Sequence, residues 1–474
     1  MRLACGKWGP SLILSLGLAC AACTTVGPDY RRPEVELPAQ YAAPAVQETA
    51  PLAADWWQLY DDPTLASLVE SARRHNADLQ LAAARVEEAE AALREARAAF
   101  FPEVFGSYSY TRNRVSSAAS PPLPANVPVQ RANHQLLAST SFEVDFWGRF
   151  ARASEAAQAA LLASRFSRDV VELTLAGAVA QAYFALRSLD AQIAVLDSSI
   201  KVRQESLEIA RTRLEAGLAS ELDVYQAQGA LADAQVQRRE ALRSRGVVEH
   251  QLAVLTGRLD LQLAPGELFS LPAAPVPPAG LPSALLERRP DIRQAEEALV
   301  AANAQIGVAR AALFPTLSLT ASAGAQSEEL ADLFTGPARL WSLGAAVTAP
   351  LFDAGRREAR VEQAEARRSQ ALAAYRRTIE AAFREVSDAL VNVQAAAASE
   401  AELAGRLDAA RKALELSNAR YQAGYSPYLE VLDAQRTANE AELAYVRNRQ
   451  ARLAFSVDLI KALGGGWRNS GSGS

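Results

Sequence analysis

The sequence has 474 residues, 50% of them apolar, which is enough for a large folded core. Its 49 basic and 54 acidic residues give a formal net charge of −5. Because the two signs are mixed along the chain, no basic patch of the kind that binds nucleic acid is predicted.

The N-terminus predicts export. Arg2 and Lys7 precede the apolar run PSLILSLGLACAAC, which is too short to span a membrane and indicates a signal peptide over residues 1–22. Cleavage before Cys23 would leave this residue as the only thiol of the mature chain, which excludes internal disulfides and is typical of bacterial lipoproteins. Cys23 is therefore the predicted lipidation site. Cleavage before Cys20 and an unlipidated leader are the alternatives.

The chain repeats itself. RYQAGYSPYLEVLDAQR, from Arg420, matches RLEAGLASELDVYQAQG, from Arg213, at an offset of 207 residues, and LIKALG matches LAVLTG at the same offset. ARAALFP, ending at Pro315, matches ARAAFFP, ending at Pro102. A fixed offset indicates two copies of one structural unit. The predicted segments after the signal peptide are an N-terminal segment (23–60), repeat 1 (61–264), a proline-rich linker (265–282), repeat 2 (283–464) and a C-terminal tail (465–474).

Each repeat is predicted to contain a long helical hairpin, at about 149–256 and about 355–463. Both stretches are rich in Ala, Glu, Arg, Gln and Leu, and their apolar residues recur at steps of three, four and seven. The first helix of a hairpin would be about 100 Å long at ~1.5 Å per residue. Gly217 and Gly424 stand where it should end and the chain should turn back.

Four amphipathic strands are predicted before the hairpins, at about 103–115, 134–146, 316–327 and 339–351. Apolar and polar residues alternate in them, as in a soluble sheet with one buried face or in a transmembrane barrel. Export and the loop rich in Ser and Pro between the first two strands favour an outer-membrane barrel. Four strands cannot close, because the smallest such barrels have about eight, so several chains must share one barrel.

Several motifs together resemble one family. They are VGPDYRRP, DWWQLYDDPTLASLV, LLERRPDIRQAE, AGRR, YLEVLDAQR and KALGGGW. They are similar to motifs of the TolC-like outer-membrane efflux channels, within the lipoprotein branch that includes OprM. The resemblance implies an α+β membrane protein. Its homotrimer would form a 12-stranded outer-membrane β-barrel, with four strands per chain, continued by a periplasmic α-helical barrel of coiled-coil hairpins.

The resemblance also implies roles for two segments. Residues 23–60 would be the lipidated segment, which packs on the equator of the helical tunnel through Trp56 and Trp57, and the linker at 265–282 would lie at the same level. The alternative role for the two tryptophans is ligand contact. In the family the periplasmic end is closed at rest by inner helices of the hairpins. YLEVLDAQR matches that closing segment at Leu429, Asp433 and Arg436, and the first repeat keeps only the leucine, as Leu222.

These residues suggest a periplasmic aperture held by charge. In a trimer, three Asp433 side chains would approach the axis, and Arg436 or a neighbouring tip would have to offset their repulsion. The alternative is an ordinary surface ion pair within one helix. Cargo could not be predicted from these residues.

The predicted function is a passive exit duct. It would conduct drugs or other toxic compounds from an inner-membrane transporter and a periplasmic adaptor, or membrane fusion protein, across the outer-membrane lipid. No enzyme activity, cofactor or metal site is predicted, because His75, His134 and His250 lack ligand spacing and no nucleophile or phosphate-loop motif is present. The alternative is a lipid-anchored periplasmic coiled-coil adaptor or scaffold without a pore.

Overall fold

The structure is a computed structural model that describes residues 25–38, 41, 53–116, 124, 128–277 and 282–466. The predicted signal peptide, Cys23 and most of the C-terminal tail lie outside the described residues. Most of the described chain is helical, and it also contains one four-stranded antiparallel sheet. The predicted α+β fold class is confirmed.

Two very long helices and two shorter ones dominate the fold. The helices in chain order are α1 (Pro63–His75), α2 (Ala77–Ala98), α3 (Arg149–Glu215), α4 (Glu221–Leu255), α5 (Leu285–Arg288), α6 (Pro290–Ala311), α7 (Arg356–Gln422) and α8 (Tyr428–Ala462). Helices α3 and α7 have 67 residues each, and α4 and α8 have 35 each. The two repeats therefore form helices of equal length.

The four strands form one sheet in the order β1-β2-β3-β4. They are β1 (Glu103–Arg114), β2 (Gln130–Val144), β3 (Thr316–Ser327) and β4 (Arg339–Thr348). Every neighbouring pair is antiparallel. Strands β1 and β4 each pair with only one other strand in the described part of the chain. Both are therefore open edges of the sheet.

The predicted bounds of β2, at about 134–146, were wrong at both ends. The strand begins four residues earlier and ends two residues earlier. The strand ends before the predicted residue 146 because Asp145 takes part in the next helix. Its carboxylate accepts hydrogen bonds from the backbone N–H groups of Phe150 and Ala151, at 3.0 and 2.9 Å. This acceptor caps the start of α3, so Asp145 belongs to the helix boundary.

The predicted end of β4, at about 351, was also wrong. The strand ends at Thr348, and Pro350, which has no N–H to donate to a ladder, follows two residues later. The Asp353 carboxylate then accepts a hydrogen bond from the N–H of Arg357 at 3.3 Å, at the start of α7. Both strand-to-helix transitions thus use an aspartate, Asp145 or Asp353.

The helical stretch before each strand pair is divided in two. Asn76 separates α1 from α2, and Arg289 separates α5 from α6. Arg289 follows Asn76 by 213 positions, the same offset that relates Pro315 to Pro102. The break is therefore a repeated feature of the chain.

The described chain forms two compact units, each assembled from both repeats. The first comprises the described part of Met1–Pro33 with Glu87–Ala163 and Glu296–Ala374, and it holds the sheet. The second comprises Glu34–Val86, Ser164–Ala295 and Tyr375–Ser474 as far as they are described. The repeats at 61–264 and 283–464 thus do not coincide with compact units, and the predicted domain boundaries stay a prediction.

The core of the second unit buries Trp56, Trp57 and Tyr60, which lie in one cluster with residues of α1, α3 and α8. The Tyr60 hydroxyl donates a hydrogen bond to Ser456 Oγ at 2.9 Å. The Trp56 ring packs edge-to-face against Trp57 and Tyr60, at centroid distances of 5.9 and 6.3 Å, respectively. The packing role predicted for the two tryptophans is confirmed within this unit.

Among the described helices, α3 alone contains an 18-residue window apolar enough to cross a membrane, with a mean hydropathy of 1.3. Half of that window is buried inside the chain. Core helices of folded domains have the same property, so this window alone does not indicate a membrane span.

Candidate functional sites in the sheet and the hairpin tips

The strand register separates the side chains of the sheet into two faces. Residues paired across neighbouring strands share a face, and alternate residues of a strand point to opposite faces. One face, here called the apolar face, carries Val104, Tyr108, Tyr110, Leu136, Ala138, Phe142, Val144, Leu317, Leu319, Ala321, Ala323, Trp341, Leu343, Ala345 and Val347.

The opposite face, here called the hydroxyl face, is lined mostly by polar side chains, many of them small alcohols. It carries Ser107, Ser109, Thr111, Ser139, Ser141, Thr316, Ser318, Thr320, Ser322, Ser342 and Thr348. Ser322 Oγ lies 2.7 Å from Ser342 Oγ on the neighbouring strand. A sheet with one apolar and one hydroxylated face is suited to separate lipid from water.

The open edges at β1 and β4 limit where this sheet can reside. An edge strand leaves alternate backbone N–H and C=O groups without partners. In lipid no water is available to satisfy them, and each unsatisfied group costs several kcal/mol. The sheet can therefore enter a membrane only if strands of other chains cover both edges.

The two hairpin tips have the same backbone geometry. The N–H of Leu218 bonds the carbonyl of Arg213 at 2.7 Å, and that of Tyr425 bonds the carbonyl of Arg420 at 2.9 Å. Gly217 and Gly424 supply the positive φ values, 73° and 81°, that this helix ending requires. The sequence repeat is thus a repeat of tip structure.

A buried cluster joins the two tips within the second unit. It contains Leu207, Ala210, Val224, Ala227, Tyr421, Tyr428 and Val431. Arg213 donates a hydrogen bond to the carbonyl of Tyr421 at 2.6 Å, and its guanidinium lies 4.7 Å from the centre of that ring. Burial raises the pKa of Tyr428. Sequence reasoning missed this cluster, since it depends on contacts between helices far apart in sequence.

The predicted aperture residues lie on exposed surfaces of α4 and α8. Leu222 is 63% exposed and Leu429 is 59% exposed. Leu429, Asp433, Arg436 and Glu440 follow one another at steps of four, three and four residues, so they share one face of α8. This face is here called the aperture stripe.

Arg436 pairs with two carboxylates of the aperture stripe. It lies 2.9 Å from Asp433 and 3.0 Å from Glu440. The hydrogen bond that Arg436 donates to Asp433, together with the charges of both carboxylates, raises the pKa of Arg436. Within one chain these ion pairs therefore join residues of a single helix, as expected for the alternative of an ordinary surface ion pair. Its role between chains stays a prediction.

Two residues missed by sequence reasoning connect the ends of different helices in the second unit. Asn76 accepts hydrogen bonds from the N–H groups of Asp78 and Leu79 at the start of α2, and its Nδ2 donates to the carbonyl of Leu255 at the end of α4. At the equivalent position, Arg289 donates to the carbonyl of Ala462 at the end of α8, at 2.9 Å.

Arg289 also binds two carboxylates, Asp291 at 2.5 Å and Glu385 at 2.8 Å. Burial alone would lower the pKa of Arg289, but the two carboxylates outweigh it and the pKa is raised. Each connection brings the C-terminal end of one helix close to the N-terminal start of another, and these ends carry opposite partial charges. The offset of 213 between Asn76 and Arg289 was the sequence signal that could have revealed both.

The histidines do not assemble a metal centre. Within the described ranges, no three His, Cys, Asp or Glu side chains are grouped in a way that could hold a metal ion. His75 Nδ1 lies 3.1 Å from the carbonyl of Ser71, and His134 Nδ1 lies 2.9 Å from the Tyr108 hydroxyl. These two rings therefore make local hydrogen bonds.

Similarity to known proteins identifies the family of this chain. The model of the outer membrane efflux protein family matches residues 68–258 and 281–465. The antibiotic efflux pump outer membrane protein ArpC and the toluene efflux pump outer membrane protein TtgC, both of Pseudomonas putida, are each 36% identical over 469 residues, or 96% of either chain. The open-state MtrE outer membrane channel of Neisseria gonorrhoeae has a TM-score of 0.84 and 30% identity, over 94% of this chain and 98% of that one. This chain therefore belongs to the outer membrane efflux protein family.

Proposed function

We propose that this chain is the outer-membrane exit duct of a tripartite efflux system. It would passively conduct small molecules received from an inner-membrane transporter through a periplasmic adaptor. The observation that carries this proposal is a sheet with an apolar face, a hydroxyl face and two open edges, in a member of an outer-membrane efflux family. The names of ArpC and TtgC suggest antibiotics or aromatic solvents as the class of cargo.

A homotrimer would satisfy the open edges. Three copies supply twelve strands, which exceeds the roughly eight that the smallest membrane barrels need. Each β1 edge would pair with the β4 edge of a neighbouring copy, so that every backbone group in lipid has a partner. The hydroxyl face would then line a water-filled lumen, and the driving energy would come from the inner-membrane partner.

Planar-bilayer recording tests the duct against the scaffold alternative. We expect the purified full chain to produce stable single-channel conductance, and light scattering to give the mass of three copies. A scaffold without a pore would produce no conductance. A monomer that keeps its full strand content by circular dichroism in detergent would contradict the shared barrel.

Lipid attachment at Cys23 is proposed from the signal sequence. Cys23→Ser is expected to abolish incorporation of labelled palmitate, because no other thiol would remain in the mature chain. The protein should still fractionate with the outer membrane, since the sheet supplies its own apolar face. Labelling of the Cys23→Ser protein would contradict the assignment and favour Cys20.

The aperture stripe is proposed to close the periplasmic end. Each copy carries two carboxylates and one guanidinium on this surface, Asp433, Glu440 and Arg436. Three copies meeting at an axis would bring together six carboxylates and three guanidiniums. Arg436 would therefore offset repulsion both within its own helix and between copies.

Arg436→Ala is expected to raise single-channel conductance more than Asp433→Ala does. Loss of Arg436 leaves both carboxylates unpaired, whereas loss of Asp433 leaves the pair of Arg436 with Glu440 in place. Trimer yield should stay unchanged, because these side chains are largely exposed. Recordings over a range of salt concentrations provide the measurement, since screening should reduce the differences.

Gln226→Ala is the matched control, because Gln226 stands 207 positions before Asp433 in the first repeat. We expect it to conduct like the parent. If Arg436→Ala and Asp433→Ala also match the parent at every salt concentration, the charged constriction lies elsewhere.

A further inference from the structure

Three arginines extend the apolar face at the loop end of the sheet. The loop end is defined here as the end where β1 connects to β2 and β3 connects to β4. Arg112 and Arg114 follow Tyr108 by four and six positions in β1, so they share its face. Arg339 begins β4 and is paired with Ala325, which is paired with Leu136 on that same face.

The three side chains are exposed and lack acidic partners in the described part of the chain. Arg112 donates a hydrogen bond to Gln130 Oε1 at 3.3 Å. No described carboxylate forms an ion pair with Arg112, Arg114 or Arg339. The exposed acids of the connection between β3 and β4, Glu328, Glu329 and Asp332, form no ion pair with these arginines in the described part of the chain.

On the same face, aromatic side chains lie next to the arginines, on the side towards the middle of the sheet. Tyr110 stands two positions before Arg112, or about 7 Å at 3.3 Å per residue, and Trp341 stands two positions after Arg339. An apolar band, then aromatic rings, then basic groups is the order found where hydrocarbon gives way to the head groups of a membrane. A partner that spans this order must have acyl chains and an anionic head.

Assembly would concentrate these charges. The open edges are β1 and β4, so pairing between copies would bring Arg112 and Arg114 of one copy toward Arg339 of the next, at every seam. Three guanidiniums at a low-dielectric surface repel one another unless an anion lies between them. Arginine favours phosphate in this role, because its planar fork donates two hydrogen bonds to one phosphate.

We propose that the loop end of each β1–β4 seam binds an acylated lipid with a phosphorylated head group. Its phosphates bind Arg112, Arg114 and Arg339, and its acyl chains pack on Tyr108, Tyr110 and Trp341. This inference rests on the proposed trimeric duct. It adds a lipid partner, and a site shared between copies, to the transport role.

Arg131 provides a matched control. It is paired with Asn113, next to Arg112, and so lies at the same height on the hydroxyl face. Its side chain donates a hydrogen bond to the carbonyl of Pro128 at 3.4 Å. An arginine at this height that faces the proposed lumen should not contribute to lipid binding.

The test titrates purified full-length protein in detergent with bisphosphorylated lipid A, and native mass spectrometry counts the bound lipid. The triple variant Arg112→Gln/Arg114→Gln/Arg339→Gln is expected to bind about tenfold more weakly, or about 1.4 kcal/mol. Arg131→Gln should bind like the parent. The parent should bind dephosphorylated lipid A at least about tenfold more weakly, which would assign the contact to the phosphates.

Four results would overturn the proposal. Two concern the variants: the triple variant binds the lipid as tightly as the parent, or Arg131→Gln loses as much affinity as the triple variant. The other two are complete displacement of the lipid by inorganic phosphate at the same concentration, and dissociation of the triple-variant trimer in lipid-free detergent. The last result would assign the arginines to carboxylates of a neighbouring copy. If the triple variant yields no protein, Arg114→Gln alone replaces it, with about threefold weaker binding expected. Single-channel conductance of the same preparations tests the duct separately from the lipid site. A parent protein without conductance would contradict the duct, and its lipid binding could still be measured.

Discussion

Ala321→Arg is expected to destabilise the membrane-inserted protein by about 2–4 kcal/mol, the cost of a basic residue at the lipid midplane of a barrel. Ala321 lies in the middle of β3, on the apolar face, between Thr140 and Leu343. The neighbouring substitution Ser322→Arg changes the hydroxyl face at the same height and should cost less than about 1 kcal/mol. Urea unfolding in lipid vesicles measures both free energies of unfolding.

The comparison between these neighbours is informative because it keeps strand and depth nearly constant. Only the face changes, since alternate residues of a strand point to opposite sides. Equal destabilisation by the two variants would show that the apolar face does not contact lipid. A larger effect of Ser322→Arg would reverse the assignment of the two faces.

The faces of the sheet could be predicted from the sequence alone. Leu317, Leu319 and Ala321 alternate with Ser318 and Thr320, and this period directly gives two faces of opposite character. The helical hairpins could be predicted for a similar reason, because composition and periodicity persist over many residues. Such signals are local and repeated, so single exceptions do not hide them.

The ends of the elements could not be predicted as well. Asp145 continues the alternating pattern of β2 in sequence, but its carboxylate caps α3, and the cap takes precedence over the pattern. The position of Pro350 was visible in the sequence and should have ended the prediction for β4. One aspartate or one proline therefore decides a boundary that a periodic pattern cannot define.

The aperture residues were identified by resemblance, and their contacts required the structure. The spacing of Asp433 and Arg436 allowed an ion pair, and the structure contains it, with Glu440 as a second partner of Arg436. The contact of Arg213 with Tyr421 joins different hairpins, so no spacing within one helix could indicate it. Sequence distance hides contacts of this kind.

Arg289→Ala is expected to lower the free energy of unfolding by about 2–3 kcal/mol. Most of the loss should come from the carbonyl of Ala462, because a buried acceptor without a donor costs about 1–3 kcal/mol. Asp291 and Glu385 are 30% and 46% exposed, and water would replace much of their interaction. Urea unfolding of the detergent-solubilised protein, followed by helical circular dichroism, provides the measurement.

Two substitutions separate charge from geometry at this connection. Arg289→Lys keeps the charge, but one ammonium cannot reproduce the fork that serves Ala462, Asp291 and Glu385 together, so at least half of the loss should remain. Asn76→Ala, at the equivalent position of the first repeat, removes a helix cap and the donor to the carbonyl of Leu255. That second bond is only partly buried, so water can replace it, and the cost should be about 1 kcal/mol. The second repeat should therefore depend more on its connecting residue than the first.

This difference follows from the partners that each residue holds. Asn76 bonds backbone groups only, whereas Arg289 also bonds a carboxylate of α7, so its loss should loosen three helices where the loss of Asn76 loosens two. Full recovery of stability in Arg289→Lys would show that charge alone holds α8 to α6. If Asn76→Ala proved as costly as Arg289→Ala, neither the deeper burial of the bond to Ala462 nor the added carboxylates would strengthen the second connection over the first.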